Sequence, residues 1–244
     1  MDKKHLVIYY IATSNYKQGF KHFQKNLHLF YPELEKTVVI LSDGLEEWNA
    51  VVDKNNIFYL VIPIQHYCWP IITLFKMKYI LDNKIVGADY VCYVNANFQF
   101  NPSFDFNKIN QFIDLNKFNA SRHAWSGFDT KIDLDGFIYD KGINKESKAY
   151  IEKPYRYVQA AFFIGKANIV YEMCENVLTM CEEDLKRNFI PNFHDESYLN
   201  KWINDNQENN EIIYPPKKLL HPEFDDRYPF ALINTFIKDR YVKY

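Results

Sequence analysis

The sequence lacks the signatures of the commonest cofactor sites. There is no G-x-G-x-x-G and no G-x-x-x-x-G-K-[ST], which disfavours a dinucleotide-binding enzyme and a P-loop ATPase. Cysteine is scarce: Cys68, Cys92, Cys174 and Cys181 form no Cys-x-x-Cys pair, and no His/Cys cluster has zinc spacing. Ordinary buried thiols and a reducing cytoplasm are the simplest reading. Excess charge of either sign is also missing. The net charge of −2 implies no broad basic face, so nucleic acid is not an expected partner. No long hydrophobic run is present. "HLVIYYIAT", residues 5–13, is far shorter than the roughly 18–20 residues a membrane span needs, and it has no small-residue cleavage site. It reads as a first strand rather than a signal, with at most peripheral membrane contact expected. Repeats and low-complexity linkers are absent as well.

What is present is a chain of 244 residues, enough for one large domain with a real core. Aromatic residues reach 18%, which suits stacking platforms in sugar or nucleotide sites and equally suits AT-rich codon usage. Apolar runs at 6–12, 37–43, 57–64, 89–100 and 157–165 read as strands. Between them, helical spacing appears at 17–30 (Phe20, Phe23, Leu27, Phe30), at 73–81 and at 167–188, and another helix begins at 194–202. Continuous apolar strands alternating with helices predict an α/β fold with a mostly parallel sheet covered on both faces. Ligands of such sheets bind at the carboxyl ends of strands. The polar residues there are Thr13, Ser14, Asn15, Asp43, Asn95 and Asn97.

Four stretches can carry chemistry. Asn95-Ala96-Asn97 ends a strand, and in extended chain its two amides point the same way. They can hydrogen-bond a ribose, sugar hydroxyls or phosphate oxygens, or simply form a turn. In His194-Asp195-Glu196-Ser197, a carboxylate can act as nucleophile or charge stabiliser in sugar chemistry. Alternatively Asp195 is a helix N-cap, with Glu196 favoured in the first turn. In "HYCWP", residues 66–70, followed by Thr73 and Lys76, Pro70 suits a first helical turn. Lys76 reads either as a phosphate contact or as a solvated helix lysine. The end of the chain is basic (Lys238, Arg240, Lys243), reading as a disordered end or a flap over an anionic ligand.

These stretches together resemble glycosyltransferase family 6, the histo-blood-group A/B and α-1,3-galactosyltransferase family with its bacterial relatives. "HDESYLNKW" is similar to the family's His-Asp-Glu-Ser-x-x-Asn-Lys segment. "YVQAAFFIG", "FIYDKGINKESKAYI", "CWPIITLFKM" and "IYYIATSNY" resemble further family segments in the same order, across about residues 6–240. The resemblance implies a GT-A type nucleotide-sugar transferase fold in one catalytic domain over 1–244. A UDP-binding part would occupy about 1–100, a donor-sugar and acceptor part about 118–230, and a basic tail about 231–244. It implies retaining α-1,3 transfer of galactose or N-acetylgalactosamine from a UDP-sugar to a galactoside, often fucosylated, of an oligosaccharide or glycolipid. A GT-A transferase of different linkage and a non-catalytic carbohydrate-binding relative are the alternatives.

The resemblance also assigns residues. Glu196 falls on the catalytic carboxylate. Ile11, Ala12, Thr13 and Tyr16 fall on uridine contacts, and Lys76 stands where the family usually has Arg near the diphosphate. Asp195, Gln159, Ala160 and Ala161 fall on the donor sugar, His123 and Trp125 on the acceptor, and Arg240 on the basic tail. Asn95-Ala96-Asn97 stands where vertebrate members carry Asp-x-Asp around Mn²⁺. Amides are poor ligands for such an ion, so no metal is expected, with Mn²⁺ the alternative.

Overall fold

The computed structural model describes residues 3–44, 57–122, 145–152, 157–209, 212–213, 220–221 and 232–234. The centre is a seven-stranded sheet in the order β3-β2-β1-β4-β7-β6-β8. These are β1 (His5–Ile11), β2 (Glu35–Ser42), β3 (Ile57–Pro63), β4 (Tyr90–Val94), β6 (Phe118–Arg122), β7 (Val158–Lys166) and β8 (Ile212–Ile213). A second sheet joins β5 (Phe98–Phe100), β10 (Leu232–Asn234) and β9 (Leu220–His221). β3, β2, β1 and β4 run parallel, and β7 lies antiparallel to both β4 and β6. The sheet is therefore mixed and mostly parallel, as the apolar runs predict.

Strand alternation splits the core in two. Leu6, Ile8 and Tyr10 of β1 join Cys92 and Val94 of β4 on one face. Against them pack α1 (Phe20–Lys25) and an aromatic cluster of Phe20, Phe23, Phe30 and Phe100. Val7, Tyr9, Val91 and Tyr93 point to the other face. There they meet α3 (Lys76–Asp82), α4 (Ala167–Leu185) and α5 (Asp195–Asp205). Each fully buried large side chain of these faces contributes on the order of 1.5–3 kcal/mol.

Three predicted elements break where the periodicity reads straight through. The helix expected over 17–30 is a 3-10 turn at Ser14–Gly19, α1, and another 3-10 turn at Leu27–Leu29. Gly19 caps α1 at one end, and Asn26 ends it by turning its side chain onto the Phe100 carbonyl at 2.9 Å. The helix of 73–81 is α2 (Ile71–Leu74) followed by α3, jointed at Phe75. The strand expected over 89–100 is two strands in different sheets, β4 and β5, separated at Asn95–Asn97.

β1 is flanked by β2 and β4, while their connections lead to opposite sides. That reversal is the switch point at which an open α/β sheet holds its ligand. The carboxyl ends of β1, β2 and β4 open onto it, together with the amino end of the antiparallel β7.

Candidate active site

At the end of β1, Ile11 is half-buried, while Ala12 and Thr13 are buried. The chain then turns through Ser14 at φ 52°, a conformation uncommon outside glycine. A carboxylate holds this turn: the Ser14 N–H donates to both oxygens of Asp43, at 3.2 and 3.1 Å. Lys17 Nζ lies 2.9 Å from Asp43, and His66 Nδ1 lies 3.8 Å away. Partial burial would raise the Asp43 pKa, but the Lys17 ammonium and the Ser14 N–H outweigh it and hold the group below its ordinary value. Tyr16 stands 54% exposed on the following 3-10 turn.

Asn95-Ala96-Asn97 form a turn rather than extended chain. The Asn95 N–H adds one more rung to the β4–β7 ladder, donating to the Ala161 carbonyl at 2.9 Å. Its carbonyl then accepts the Phe98 N–H at 3.1 Å, which closes the turn. From below, the Tyr10 hydroxyl donates to the Ala96 carbonyl at 2.9 Å. Both asparagine side chains are half-buried and Ala96 is buried. The turn is made by backbone hydrogen bonds alone.

Facing this turn, the amino ends of α3, β7 and α5 converge. His194 precedes α5 at φ 52°, so Asp195 is the first helical residue and not the N-cap. Its carboxylate goes instead to Lys76 Nζ at 2.5 Å, with both side chains almost fully buried. Lys76 is therefore no surface lysine: it also donates to the Ala160 carbonyl at 2.7 Å and lies 4.4 Å from the centre of the Tyr93 ring. Burial alone would lower the Lys76 pKa, but the nearby Asp195 carboxylate more than reverses this and keeps the lysine charged. The Tyr93 hydroxyl donates to Asn95 Oδ1 at 2.6 Å, joining the asparagine turn to the ion pair.

Glu196 is the second residue of α5. One oxygen accepts the Tyr157 hydroxyl in a very short bond, and the other accepts the Ala160 N–H at 3.0 Å. Burial pushes its pKa up and neighbouring Asp195 adds to the rise, while the Tyr157 and Ala160 donors and Lys76 oppose it; the result is about 7. Asn200, one turn further along, locks α5 to β7. Its side-chain oxygen accepts the Val158 N–H and its nitrogen donates to the Val158 carbonyl, both at 2.9 Å. The carboxylate is thus oriented by one phenol and one backbone amide on a helix pinned to the sheet. Such an arrangement suits nucleophilic or electrostatic work on a sugar carbon.

The structure brings together Lys76, Asn95, Gln159, Ala160, Ala161, Asp195 and Glu196, with Ile11, Ala12, Thr13 and Tyr16 along the neighbouring strand end. Gln159 and Ala160 are buried, and Ala161 is half-buried. His123, Trp125 and Arg240 lie outside the described residues. Among the described residues, no group of three or more His, Cys, Asp or Glu side chains could hold a metal ion. The first amide oxygen of the Asn-x-Asn turn accepts from Tyr93, and one oxygen of the Asp195 carboxylate is paired with Lys76.

Sequence reasoning gives no role to Tyr93, Tyr157 or Asn200. Tyr157 and Asn200 stand inside quoted motifs and Tyr93 in the apolar run before Asn95, but the partner of each lies elsewhere or its residue type reads as strand or helix filler. Trp69, 71% exposed, sets its ring edge-on to His194 at 4.6 Å, which brings the "CWP" stretch beside the "HDE" stretch. No described helix is long and apolar enough to cross a membrane.

The O-antigen biosynthesis glycosyltransferase WbnI of Escherichia coli is 28% identical to this chain over 201 residues, 79% of each sequence. The family model described as Glycosyltransferase family 6 matches residues 48–235, a span that holds the Asn-x-Asn turn, Lys76, β7 and the Asp195–Glu196 pair. With its mixed α/β sheet of GT-A type, and with a nucleotide-sugar donor and a glycan acceptor as its implied ligands, this chain belongs to glycosyltransferase family 6.

Proposed function

We propose that the protein transfers galactose from UDP-galactose to a galactoside of an oligosaccharide or glycolipid, forming an α-1,3 bond with retention. The observation that carries this reading is the Glu196 carboxylate, gripped by Tyr157 and the Ala160 N–H beside the β7 segment that the resemblance assigns to the donor sugar. Ionised, Glu196 faces the anomeric carbon opposite the leaving UDP. It then either forms a glycosyl-enzyme bond as the carbon–oxygen bond to UDP breaks, or stabilises an oxocarbenium ion while the acceptor enters on the UDP side. Both routes return the acceptor oxygen to the original face, and the acceptor proton leaves with the departing diphosphate. The role of the Escherichia coli relative in O-antigen biosynthesis favours a bacterial surface-type glycan as acceptor.

The leaving diphosphate gains charge as the bond breaks. Fixed cations can meet it where other transferases use a metal. Lys76 is committed to Asp195 and the Ala160 carbonyl, so it places Asp195 rather than meeting the diphosphate, and Arg240 is the candidate for direct contact. Donor choice rests on Ala161: a methyl there leaves less room for an acetamide than glycine would. Ala161→Gly is expected to raise the use of UDP-N-acetylgalactosamine relative to UDP-galactose; an unchanged donor ratio counts against this assignment.

A screen of radiolabelled UDP-sugars against galactoside acceptors, with EDTA and Mn²⁺ arms, tests the reading. Full turnover in excess EDTA is expected, and strict dependence on Mn²⁺ would refute the metal-free account. No turnover with any UDP-sugar would refute the reading as a whole.

A further inference from the structure

The backbone of Asn95 is fully committed: its N–H donates to Ala161 and its carbonyl accepts from Phe98. Only the side chain is left to meet a ligand. A carboxamide has two opposite ends, a carbonyl oxygen that accepts and a nitrogen that donates twice. Which end faces the cleft decides what the residue can bind. A donor end suits a phosphate or hydroxyl oxygen, and an acceptor end suits a cation.

Tyr93 makes that choice. It lies two residues before Asn95 and is 3% exposed. Its ring stacks on Phe163 at 5.2 Å and carries Lys76 Nζ over its face at 4.4 Å. So held, the ring gives its hydroxyl one direction, which ends on Asn95 Oδ1 at 2.6 Å. The phenol is suited to be the donor of this bond. Burial keeps it protonated above the usual tyrosine range, although the neighbouring Lys76 ammonium opposes that rise. The carbonyl end of Asn95 is therefore taken, and among the described residues nothing accepts from its nitrogen.

We infer that Tyr93 is a positioning residue that fixes the Asn95 amide with its N–H donors toward the bound UDP-sugar. This inference rests on the proposed function. Asn95 then serves as a neutral hydrogen-bond donor to a phosphate or sugar oxygen, and the same bond denies its oxygen to a metal ion. The ring also ties this choice to the buried Lys76–Asp195 pair, so the asparagine turn and the start of α5 are set by one side chain. Tyr93 stands in the apolar run before the motif, where its residue type reads only as strand-forming.

The test is a double-mutant cycle read by calorimetric titration of UDP-galactose into the wild type, Tyr93→Phe, Asn95→Ala and the double variant. Tyr93→Phe keeps the ring under Lys76 and removes only the hydroxyl. It is expected to weaken binding about five- to tenfold, the size of one hydrogen bond. In the Asn95→Ala background the same change should alter affinity less than twofold, because no amide is left to orient. An equal loss in both backgrounds would overturn the inference, since the hydroxyl would then act through the fold or through Lys76. Unchanged affinity of Tyr93→Phe in the Asn95-containing protein would overturn it too. Melting temperatures of the four proteins separate a folding defect from a binding defect. A wild type that binds UDP-galactose while the cycle shows no coupling defeats this inference alone; a wild type that binds no UDP-galactose defeats the proposed function with it.

Discussion

The two sides of the cleft each hold a lysine–aspartate pair, and they hold it differently. On the side assigned to the nucleotide, Lys17 and Asp43 meet at 2.9 Å with side chains 16% and 20% accessible, next to an exposed tyrosine. On the side assigned to the sugar, Lys76 and Asp195 meet at 2.5 Å with 5% and 9% accessible. Water reaches the first pair more than the second, which leaves it worth less. The second pair is largely desolvated, so it is tolerable only when complete and costly when one partner is removed. The lesson is that one motif of charges serves two purposes. The first braces a turn; the second fixes the place of Asp195 and, through α5, of Glu196.

The sharpest way to break this comparison is at the residue the second side exists to place. Glu196→Gln should lower transfer on the order of 10³-fold while leaving the affinity for UDP nearly unchanged. Steady-state rates and UDP titration check both halves, and near-normal turnover would remove Glu196 from the chemistry. Next in size is the pair itself. Lys76→Met strands the Asp195 carboxylate and should cost about 3–5 kcal/mol, lowering the melting temperature by roughly 10 °C. Replacing both partners with apolar residues should restore most of that stability without restoring transfer. A single variant as stable as the wild type would show that the pair is not desolvated.

A third effect separates the two sides by pH. The Glu196 pKa, about 7, lies above its ordinary value, so the folded chain holds a proton that the unfolded chain has released. The associated stability is fully present below about pH 4.5 and is lost as the pH rises through 7. Transfer should move the opposite way, because the chemistry needs the ionised carboxylate, and the rate should rise with pH through this range. Urea unfolding of the wild type and Glu196→Gln at pH 5 and pH 8 should show a smaller loss of stability in the variant. The smallest effect belongs to the more accessible pair. Lys17→Ala should cost about 0.2–1 kcal/mol, and added salt should narrow its difference from the wild type.

Much of the fold is written in local pattern. The apolar runs place β1, β2, β3 and β7, and the 3.6-residue period of Ile169, Val170, Met173, Val177 and Cys181 places α4. Pattern fails where a specific hydrogen bond rather than the periodicity ends an element, as the Asn26 side chain ends α1 and the backbone turn at Asn95 ends β4. The site divides in the same way. Asp195, Glu196 and the two asparagines stand out as candidates because they cluster within motifs that resemble a known family. Lys76 reads as a phosphate contact or a solvated helix lysine, because the partner it actually takes, Asp195, lies 119 residues further along the chain. Tyr157 is invisible for a related reason: its role depends on Glu196, on another element 39 residues away. Tyr93 is hidden by the opposite cause, since its partner is two residues away but its residue type belongs to a strand.

The most direct test of the account is the anomeric configuration of the product. A carboxylate serving the sugar on the face opposite UDP requires retention. Proton NMR of the disaccharide linkage formed from UDP-galactose, which is itself an α-glycoside, should therefore show an α-galactoside. A β-galactoside would mean direct inversion by the acceptor and would contradict the place given to Glu196.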